Sequence, residues 1–410
     1  MDAGPVIHRA RWIVPVSSPP IEDGEIVVEC GRIAEVRPAT RQAAVEHGDA
    51  AILPGFVNAH CHLEYTDLAG MTTERSFVPW LRQVTNLKRT AEPETFFEGA
   101  RRGALMNARA GIGAVGDFSD APVSVQALNE AGLRGVVFQE VIALRDQPTW
   151  RESLDACRHK ADQQRQAAGL HVDVRLAPHA PYSVVEEALR TFSKGPTAIH
   201  CAESWEEVEF LTEGRGELAD WFREMALPVR PVHATPVEYL GRVGLLRPEV
   251  QLVHCVQLSG DDIETIARAC CSVVHCPRSN SQLGVGTAPV HELLEAGVNV
   301  ALGTDSLLSN DDFDMFEEMR AAQSANLARG MPFIPARTLL AMATRNAAHS
   351  LGLGDRCGVL APGASADFQV LSLDSPNADS TLGIEDALIS VGSANAVGAL
   401  YVRGQLVHQA

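Results

Sequence analysis

The sequence predicts an α/β protein, a (β/α)8 barrel of the TIM type joined to a small β-sandwich built from both termini. Between about residues 51 and 306, eight short runs rich in Val, Ile and Leu alternate with longer helix-like stretches. This alternation is typical of βα units on a parallel sheet. Six of the eight runs end in His, Asp, Glu or a short polar cluster, as expected where an active site lies at the C-terminal ends of barrel strands.

The eight predicted barrel strands are residues 51–60, 111–118, 134–142, 172–180, 197–203, 250–256, 271–277 and 299–306. The flanks, residues 5–37 and 366–408, are strand-rich with Gly and Pro turns and no helical period, which predicts antiparallel β structure. Neither flank is large enough to fold well alone. We therefore expect residues 1–53 and 358–410 to form one small β-sandwich beside a barrel of residues 54–357.

Composition argues against several classes of partner. The 410 residues include 34 Lys and Arg against 52 Asp and Glu, a net charge of -18, whereas nucleic acids and acidic membranes require a basic patch. No apolar run approaches the roughly 18 residues of a membrane span, and we expect no signal peptide. The nine cysteines do not resemble a disulfide framework. These features favour a cytoplasmic protein.

The first predicted barrel strand closes with His60, Cys61 and His62. Because side chains alternate along a strand with a period of two, His60 and His62 point to the same side and Cys61 points away. Two imidazoles side by side at a barrel mouth suit a divalent metal. The pattern therefore predicts a metal site there.

Further polar residues follow later strands. His200 ends the fifth run and Glu203 follows it, His254 ends the sixth, and Asp305 ends the eighth. Taken singly, each is more often a hydrogen-bonded core histidine or a carboxylate that caps the next helix. Side chains from separate strand ends converge only if the strands close into a ring, so their occurrence together favours one site.

Four His-Cys dipeptides raise the alternative of mixed nitrogen and sulfur ligation. The period of two instead turns the four cysteines towards the helix layer as small buried fillers: Cys61, Cys201, Cys255 and Cys276.

A single metal ion is expected. Two-metal barrels often bridge their ions with a carboxylated lysine at a strand end, but Lys88, Lys160 and Lys194 are the only lysines and all lie in helical or loop stretches.

Six segments together resemble the amidohydrolase superfamily, in its branch of nucleobase-type deaminases and triazine chlorohydrolases: PGFVNAHCHLE, APHAPYS, HCAES, LVHCVQL, HCPRSNSQLG and ALGTDSLLSNDDFDMFEEM. The resemblance covers nearly the whole chain. HLE followed by SFVPWL, and CPRSN, are most similar to the 6-amino-6-deoxyfutalosine deaminases of menaquinone biosynthesis, although Cys61 replaces the more usual Thr. Relatives are often homodimers, so the resemblance implies a homo-oligomer.

The resemblance also implies roles for individual residues. Glu203 is the proton shuttle and His254 assists the attacking water. The implied ligands of one Zn2+ or Fe2+ ion are His60, His62, His200 and Asp305.

The predicted substrate contacts lie after strand ends or on the helix that follows the first strand. The benzoate of aminodeoxyfutalosine calls for a cation, and an Arg fork matches a carboxylate geometrically. For each residue an ordinary loop carboxylate, surface ion pair or core side chain is the alternative. The candidates are Glu64, His179, Arg278, Asn280, Arg145 and Trp80.

The expected reaction is hydrolytic deamination of an adenine-like ring. A bound metal lowers the pKa of water from about 15.7 towards roughly 7 and supplies hydroxide. Asp305 accepts the proton of that water and Glu203 protonates the adjacent ring nitrogen. The favoured conversion is 6-amino-6-deoxyfutalosine to futalosine.

Two alternatives to this reaction remain. The same chemistry suits a deaminase or chlorohydrolase of adenosine, S-adenosylhomocysteine, methylthioadenosine, guanine or a triazine. A catalytically silent scaffold is the other, and the presence of all four ligands and Glu203 argues against it.

Overall fold

The computed structural model describes residues 4–146, 148–169, 171–373 and 383–410. The strands are β1 (Val6–Ile13), β2 (Ile21–Glu29), β3 (Arg32–Pro38), β4 (Val45–Glu46), β5 (Ala50–Pro54), β6 (Phe56–Cys61), β7 (Ile112–Ser119), β8 (Arg134–Val141), β9 (Val172–Pro178), β10 (Thr197–Cys201), β11 (Val250–His254), β12 (Ser272–His275), β13 (Asn299–Leu302), β14 (Phe368–Ser372), β15 (Val397–Val402) and β16 (Gln405–Gln409).

The α-helices are α1 (Phe77–Thr90), α2 (Pro93–Arg109), α3 (Ser124–Glu130), α4 (Thr149–Ala167), α5 (Glu186–Leu189), α6 (Trp205–Glu213), α7 (Glu217–Glu224), α8 (Pro236–Arg242), α9 (Gly260–Ala269), α10 (Pro277–Gln282), α11 (Val290–Glu295), α12 (Met315–Ala328), α13 (Ala336–Met342), α14 (Arg345–Ser350) and α15 (Ile384–Val391). Short 3-10 helices span Leu63–Leu68, Arg190–Phe192 and Ala394–Ala396. Within the described residues, no helix is both long enough and apolar enough to cross a membrane.

Strands β6 to β13 form two parallel sheets of four, in the orders β6-β7-β8-β9 and β10-β11-β12-β13. Every residue of β6, β7 and β8 is buried, which is why these strands read as continuous apolar runs. Each strand is followed by one or more helices, as the alternation in the sequence predicts.

Backbone hydrogen bonds also join the two parallel sheets. The amide of His200, on β10, donates to the carbonyl of His179, just after β9, at 3.0 Å. The amide of Asp305, just after β13, donates to the carbonyl of His60, on β6, at 3.0 Å. These contacts gather the C-terminal ends of the strands, although within the described residues no ladder of paired strands closes the ring.

Strands from both termini share one mixed sheet, and its arrangement as a sandwich stays a prediction. The described part of this sheet has eight strands in the order β16-β15-β14-β5-β1-β2-β3, with β4 beside β1. Most neighbours are antiparallel, whereas β1 runs parallel to β4 and β5. Where one domain ends and the other begins stays a prediction.

Two local expectations were wrong. The predicted strand 51–60 is two strands, because the chain leaves the mixed sheet at Pro54 and enters the parallel sheet at Phe56. The C-terminal flank also contains helix α15, where strand structure was expected. This helix packs on α12, where the guanidinium of Arg320 donates to the carbonyls of Ile389 and Gly392. Part of the flank, residues 374–382, lies outside the described residues.

Glu25 in the mixed sheet is a buried carboxylate held by two arginines. It accepts hydrogen bonds from Arg9 at 2.7 Å and Arg37 at 2.9 Å, and from the hydroxyl of Thr40. Burial alone raises the pKa of Glu25, but these hydrogen bonds lower it from 4.5 to about 2. Its charged form therefore stabilises the fold above pH 4.5, and this stability is lost as the pH falls towards 2.

We expect Glu25→Gln to lower the free energy of unfolding by about 3 kcal/mol at pH 7, the equivalent of this pKa shift. Because the wild-type carboxylate begins to take up protons on unfolding near pH 4, the difference from wild type is smaller at pH 4. Denaturant titrations at both pH values measure it. The exposed Glu29, on the same strand, provides the control substitution to Gln. An equal loss in both variants contradicts the prediction.

Candidate active site

Four ligating side chains lie close together where the parallel strands end. One nitrogen from each of His60, His62 and His200 lies within 4.8 Å of the other two. The Nε2 atoms of His60 and His62 lie 3.4 and 3.6 Å from Oδ1 of Asp305. All four side chains are buried, so the chain brings together the ligand set that the sequence predicts.

The imidazoles of this group have nitrogen atoms without partners. Both ring nitrogens of His60 and Nδ1 of His62 are buried and make no hydrogen bond to any described residue. Burial lowers the pKa of both rings to about 3, so they are neutral at physiological pH. Neutral imidazole is the form that binds metal, and three imidazoles with one carboxylate suit a divalent transition metal. The donor set therefore fits one metal ion.

Asp305 is oriented by donors on its far side. Its Oδ2 accepts hydrogen bonds from the hydroxyls of Ser279 at 2.6 Å and Ser309 at 3.0 Å. Its Oδ1 accepts one from the amide of Ser306 at 2.8 Å and otherwise faces the histidines. Such bonds favour the charged carboxylate and fix which oxygen is presented to a metal.

Close backbone packing brings Asp305 to the histidines. A Cβ atom on Gly303 would lie 2.8 to 2.9 Å from atoms of His60, so only glycine allows the two strands to approach. Asp305 itself has a φ of 62°, an uncommon conformation for a residue with a side chain. His254 has a φ of 71°. Strained backbone of this kind clusters at functional sites.

The hydrogen bonds of two histidines define which nitrogen each presents. His200 donates from Nδ1 to the carbonyl of His179 at 2.7 Å, which leaves Nε2 as its ligating atom. Nδ1 of His254 lies 3.0 Å from Oδ1 of Asn280, an acceptor, so this nitrogen carries the proton. Nε2 of His254 is then an acceptor, and it lies 3.7 Å from Oε1 of Glu203.

Glu203 is a buried carboxyl group beside the metal ligands. Burial raises its pKa to about 8, although the neighbouring His200 lowers it. Its position is fixed by its own amide, which donates to the carboxylate of Glu207 at 2.9 Å. Glu203 can therefore carry a proton at neutral pH and transfer it to a bound molecule.

A cavity of about 260 Å³ opens over this group. His62, His200, Glu203, His254 and Asp305 line one part of it. Its other walls are mainly apolar and come from α1, the strand ends and α7: Phe77, Trp80, Leu81, Val84, Ile142, Leu144, Trp221, Phe222 and Met225. The cavity therefore combines polar groups around the ligand residues with a largely apolar surface elsewhere.

A family model described as the amidohydrolase family matches residues 51–407. The chain belongs to the amidohydrolase family. The 5-methylthioadenosine/S-adenosylhomocysteine deaminase of Moorella thermoacetica is 31% identical to it, over 98% of this chain and 94% of its own. An adenosine deaminase from Xanthomonas campestris, solved with bound zinc, is 28% identical with a TM-score of 0.85, over 98% of this chain and 92% of its own.

The aminofutalosine deaminase of Helicobacter pylori, solved with methylthio-coformycin, has a TM-score of 0.85 at 23% identity. The match covers 98% of this chain and 100% of that one, which shows the same fold. These neighbours imply the predicted TIM-type barrel. Membership of the family confirms the predicted enzyme class, a hydrolase of carbon-nitrogen bonds.

Glu64 of this amidohydrolase is not brought to the cavity. Its carboxylate accepts hydrogen bonds from the amides of Asp120 and Ala121, at 2.9 and 2.8 Å, and from the hydroxyl of Ser119. These bonds hold the loop after β7, and none of its carboxylate oxygens is left to face the cavity. The structure does not support the predicted substrate contact.

Arg278 and Asn280 are likewise turned away from the cavity. Arg278 pairs with Asp312 at 2.6 Å, and its amide donates to Glu318. Asn280 is occupied by His254. Both residues therefore contact other protein residues around the site. The structure does not support direct substrate contact by either.

Two of the predicted contacts line the cavity, and Arg145 lies outside its lining. His179 and Trp80 line it, and the indole Nε1 of Trp80 donates to the carbonyl of Leu308 at 3.0 Å. Arg145 is exposed and donates to the carbonyl of Ala226 at 3.3 Å. It follows the lining residue Leu144 in the sequence but is not among the residues that line the cavity.

Sequence reasoning missed Glu140 and Lys88, which also line the cavity. Glu140 stands near the end of β8, so a carboxylate at a predicted strand end was the available signal. Lys88 lies on α1, and its ammonium group is 3.1 Å from the carboxylate of Asp120. No sequence pattern indicates this contact, because the two residues are distant in the chain.

The four cysteines beside site histidines are buried as predicted, but they do not all face the helices. Cys61, Cys201 and Cys255 pack in the large apolar cluster that the helices share. Cys276 instead joins the smaller cluster of inward strand residues such as Val253 and Ala301. The expectation for Cys276 was wrong because the alternation along β12 puts Val274 and Cys276 in this cluster and Val273 in the other, whereas the prediction assumes that His275 faces inward.

We expect Ser279→Ala to weaken metal binding about 10- to 100-fold, the usual effect of losing an outer partner of a ligand. The variant loses the 2.6 Å hydrogen bond to Asp305 without losing a ligand. Competition with a chromophoric chelator measures the affinity. Ser281→Ala, at an exposed position of the same helix α10, is the control. Equal affinities of the two variants contradict the positioning role of Ser279.

Proposed function

We propose that this amidohydrolase deaminates the adenine-like ring of a nucleoside by hydrolysis. One observation carries the proposal. A buried group of three imidazoles and one carboxylate lies next to Glu203 and His254 in a largely apolar cavity. The donor set suits a metal, and the carboxyl group beside it suits protonation of a ring nitrogen.

His60, His62, His200 and Asp305 would hold a divalent metal, Zn2+ or Fe2+, which when bound would lower the pKa of a water molecule towards about 7. Asp305 accepts a proton from the attacking water at Oδ1. Glu203 gives its proton to the ring nitrogen next to the amine-bearing carbon, and a second transfer through Glu203 releases ammonia. His254 holds the attacking oxygen through its imidazole, whose orientation Asn280 fixes at 3.0 Å. Proton-transfer groups of this kind each contribute about 100- to 10,000-fold.

The known relatives support an adenine-like ring. The Moorella thermoacetica protein is a deaminase of methylthioadenosine and S-adenosylhomocysteine, and the Xanthomonas campestris protein is an adenosine deaminase. All of these substrates share the purine ring and differ at the 5′ carbon of the ribose. We place the 5′ substituent, in which these substrates differ, against the apolar wall of the cavity.

The substrate we favour is 6-amino-6-deoxyfutalosine, which places the enzyme in menaquinone biosynthesis. Its 5′ extension carries an aromatic ring that ends in a carboxylate. The apolar walls from Trp80 to Phe222 suit the ring. Arg145, next in sequence to the lining residue Leu144, suits the carboxylate, because within the described residues its only hydrogen bond goes to the carbonyl of Ala226. Lys88 is less suited, since its ammonium is already bound to Asp120.

We also propose a cytoplasmic homo-oligomer. All nine cysteines are free thiols, which supports a reducing compartment. Sedimentation of the metal-loaded protein measures the oligomeric state.

An ammonia-coupled screen with metal analysis tests the proposal. The panel is aminodeoxyfutalosine, adenosine, S-adenosylhomocysteine, methylthioadenosine, guanine and a chlorotriazine. We expect one metal ion per chain and ammonia release from an adenine nucleoside, with aminodeoxyfutalosine the best substrate. If methylthioadenosine is the best substrate, the proposed reaction is supported and our choice of aminodeoxyfutalosine is wrong. Chloride release from the triazine without ammonia from any nucleoside contradicts the proposed reaction.

A further inference from the structure

Glu140 is a buried carboxylate that the proposed reaction does not use. It lies near the end of β8, is 3% exposed and lines the same cavity as the metal ligands. Its Oε1 is buried and makes no hydrogen bond to any described residue. An unpaired buried carboxylate oxygen is costly, which indicates that a bound molecule supplies its partner.

A second metal ion is not that partner. Glu140, His179 and His200 do offer ligand atoms within 4.8 Å of one another. However, Nδ1 of His200 is bonded to the carbonyl of His179, so Nε2 is its only ligating atom. That nitrogen already belongs to the group with His60 and His62. One nitrogen cannot serve two ions, so Glu140 faces a different ligand.

The partner must be a hydrogen-bond donor close to the ligand group. A carboxylate accepts hydrogen bonds and donates none when charged. The imidazole of His179 lies beside Glu140. A hydrogen bond of 2.8 Å between Nδ1 of His179 and the hydroxyl of Ser183 holds the ring in this orientation. Lys88, the cation of this wall, is bound to Asp120. Among the described residues that line this cavity, Glu140 thus has a carboxylate oxygen without a hydrogen-bond donor.

The donors of an adenine nucleoside are few. The ring amine is the group that leaves, beside the metal ligands and Glu203. The remaining donors common to this class are the 2′ and 3′ hydroxyls of the ribose. A vicinal diol presents two donors to the two oxygens of one carboxylate, a charge-assisted and geometrically specific pair.

We propose that Glu140 binds the ribose hydroxyls and makes the enzyme specific for ribonucleosides over deoxyribonucleosides. This inference rests on the proposed function. A site built to hydrogen-bond a hydroxyl rejects the analogue that lacks it, because the buried acceptor is then left unpaired.

The test compares kcat/KM for adenosine, 2′-deoxyadenosine and 3′-deoxyadenosine in the wild type and in Glu140→Gln, both loaded with metal. Where turnover is slow, the inhibition constants of the three compounds against the best substrate of the screen give the same ratio. We expect the wild type to prefer adenosine over at least one deoxynucleoside by about 10- to 100-fold. In Glu140→Gln we expect this preference to fall below about threefold, with kcat/KM for that deoxynucleoside nearly unchanged.

Glu152→Gln, at an exposed position of α4, is the matched control and should keep the wild-type ratio. Metal content and melting temperature show that each variant is folded and loaded. The inference is overturned if the wild type does not discriminate, or if Glu140→Gln lowers kcat/KM equally for all three compounds. The second result would mean that Glu140 contacts the ring amine or stabilises the fold. Absence of ammonia from every nucleoside of the wider screen is a different failure, that of the proposed function.

Discussion

Glu203→Gln is expected to lower kcat by about 100- to 10,000-fold without removing the metal. Glutamine has nearly the shape of the carboxyl group but cannot give a proton to the ring nitrogen. The three imidazoles and Asp305 are untouched, so the metal content should stay at the wild-type level. Ammonia release under saturating substrate measures kcat, and metal analysis of the same sample measures occupancy.

The control for this variant is Glu213→Gln, at the exposed end of the helix that follows Glu203. It makes the same chemical change far from the cavity and should leave kcat unchanged. The assigned role of Glu203 is contradicted by a variant that turns over at the wild-type rate, or by one that has lost its metal. The first outcome would mean that another group transfers the proton. His254 is the candidate, because its Nε2 lies 3.7 Å from the Glu203 carboxyl.

Strand geometry predicts from the sequence that the polar residues at the strand ends meet, and the family resemblance selects the ligands among them. His60 and His62 share a face through the period of two, and His200 and Asp305 each end a buried run. Strand ends of a parallel ring must meet, so residues far apart in the chain could be grouped without any contact information. The structure brings together this group.

The surrounding contacts could not be predicted, because they depend on hydrogen-bond partners from other elements. Glu64 follows a ligand by two residues, but the amides of Asp120 and Ala121 hold its carboxylate. Arg278 follows the seventh strand, but Asp312 neutralises it. Glu140 was overlooked because a single carboxylate in an apolar run gives no sign of which donors it lacks.

The fold of the flanks shows the same limit. Strand-rich segments with Gly and Pro turns and no helical period predicted strands at both ends of the chain, and strands from both ends do share a sheet. This pattern could not show that they pair as one mixed sheet, since pairing partners are set by contacts distant in sequence. Residues 384–391 form a helix because they pack on α12, where tertiary contacts override a β-branched local composition.

Asp305→Ala is expected to remove the metal and to lower activity at least about 1,000-fold, because the residue supplies both a ligand and a proton acceptor. The wild type treated with a chelator should lose activity and regain it when zinc is returned, whereas the variant should not. Asp155→Ala, on the exposed face of α4, should behave as wild type. A variant that kept one tightly bound metal ion would contradict the ligand assignment.

The series of Ser279→Ala and Asp305→Ala separates ligation from positioning. Ser279 donates to Oδ2 of Asp305, at 2.6 Å, and not to the Oδ1 that faces the histidines, so its loss should weaken metal affinity while excess zinc restores turnover. Loss of Asp305 leaves His60, His62 and His200 without a charged ligand, and excess zinc should not restore the proton acceptor. If zinc rescued both variants equally, Asp305 would act only as a ligand, and the proton would have to pass to Glu203 or His254.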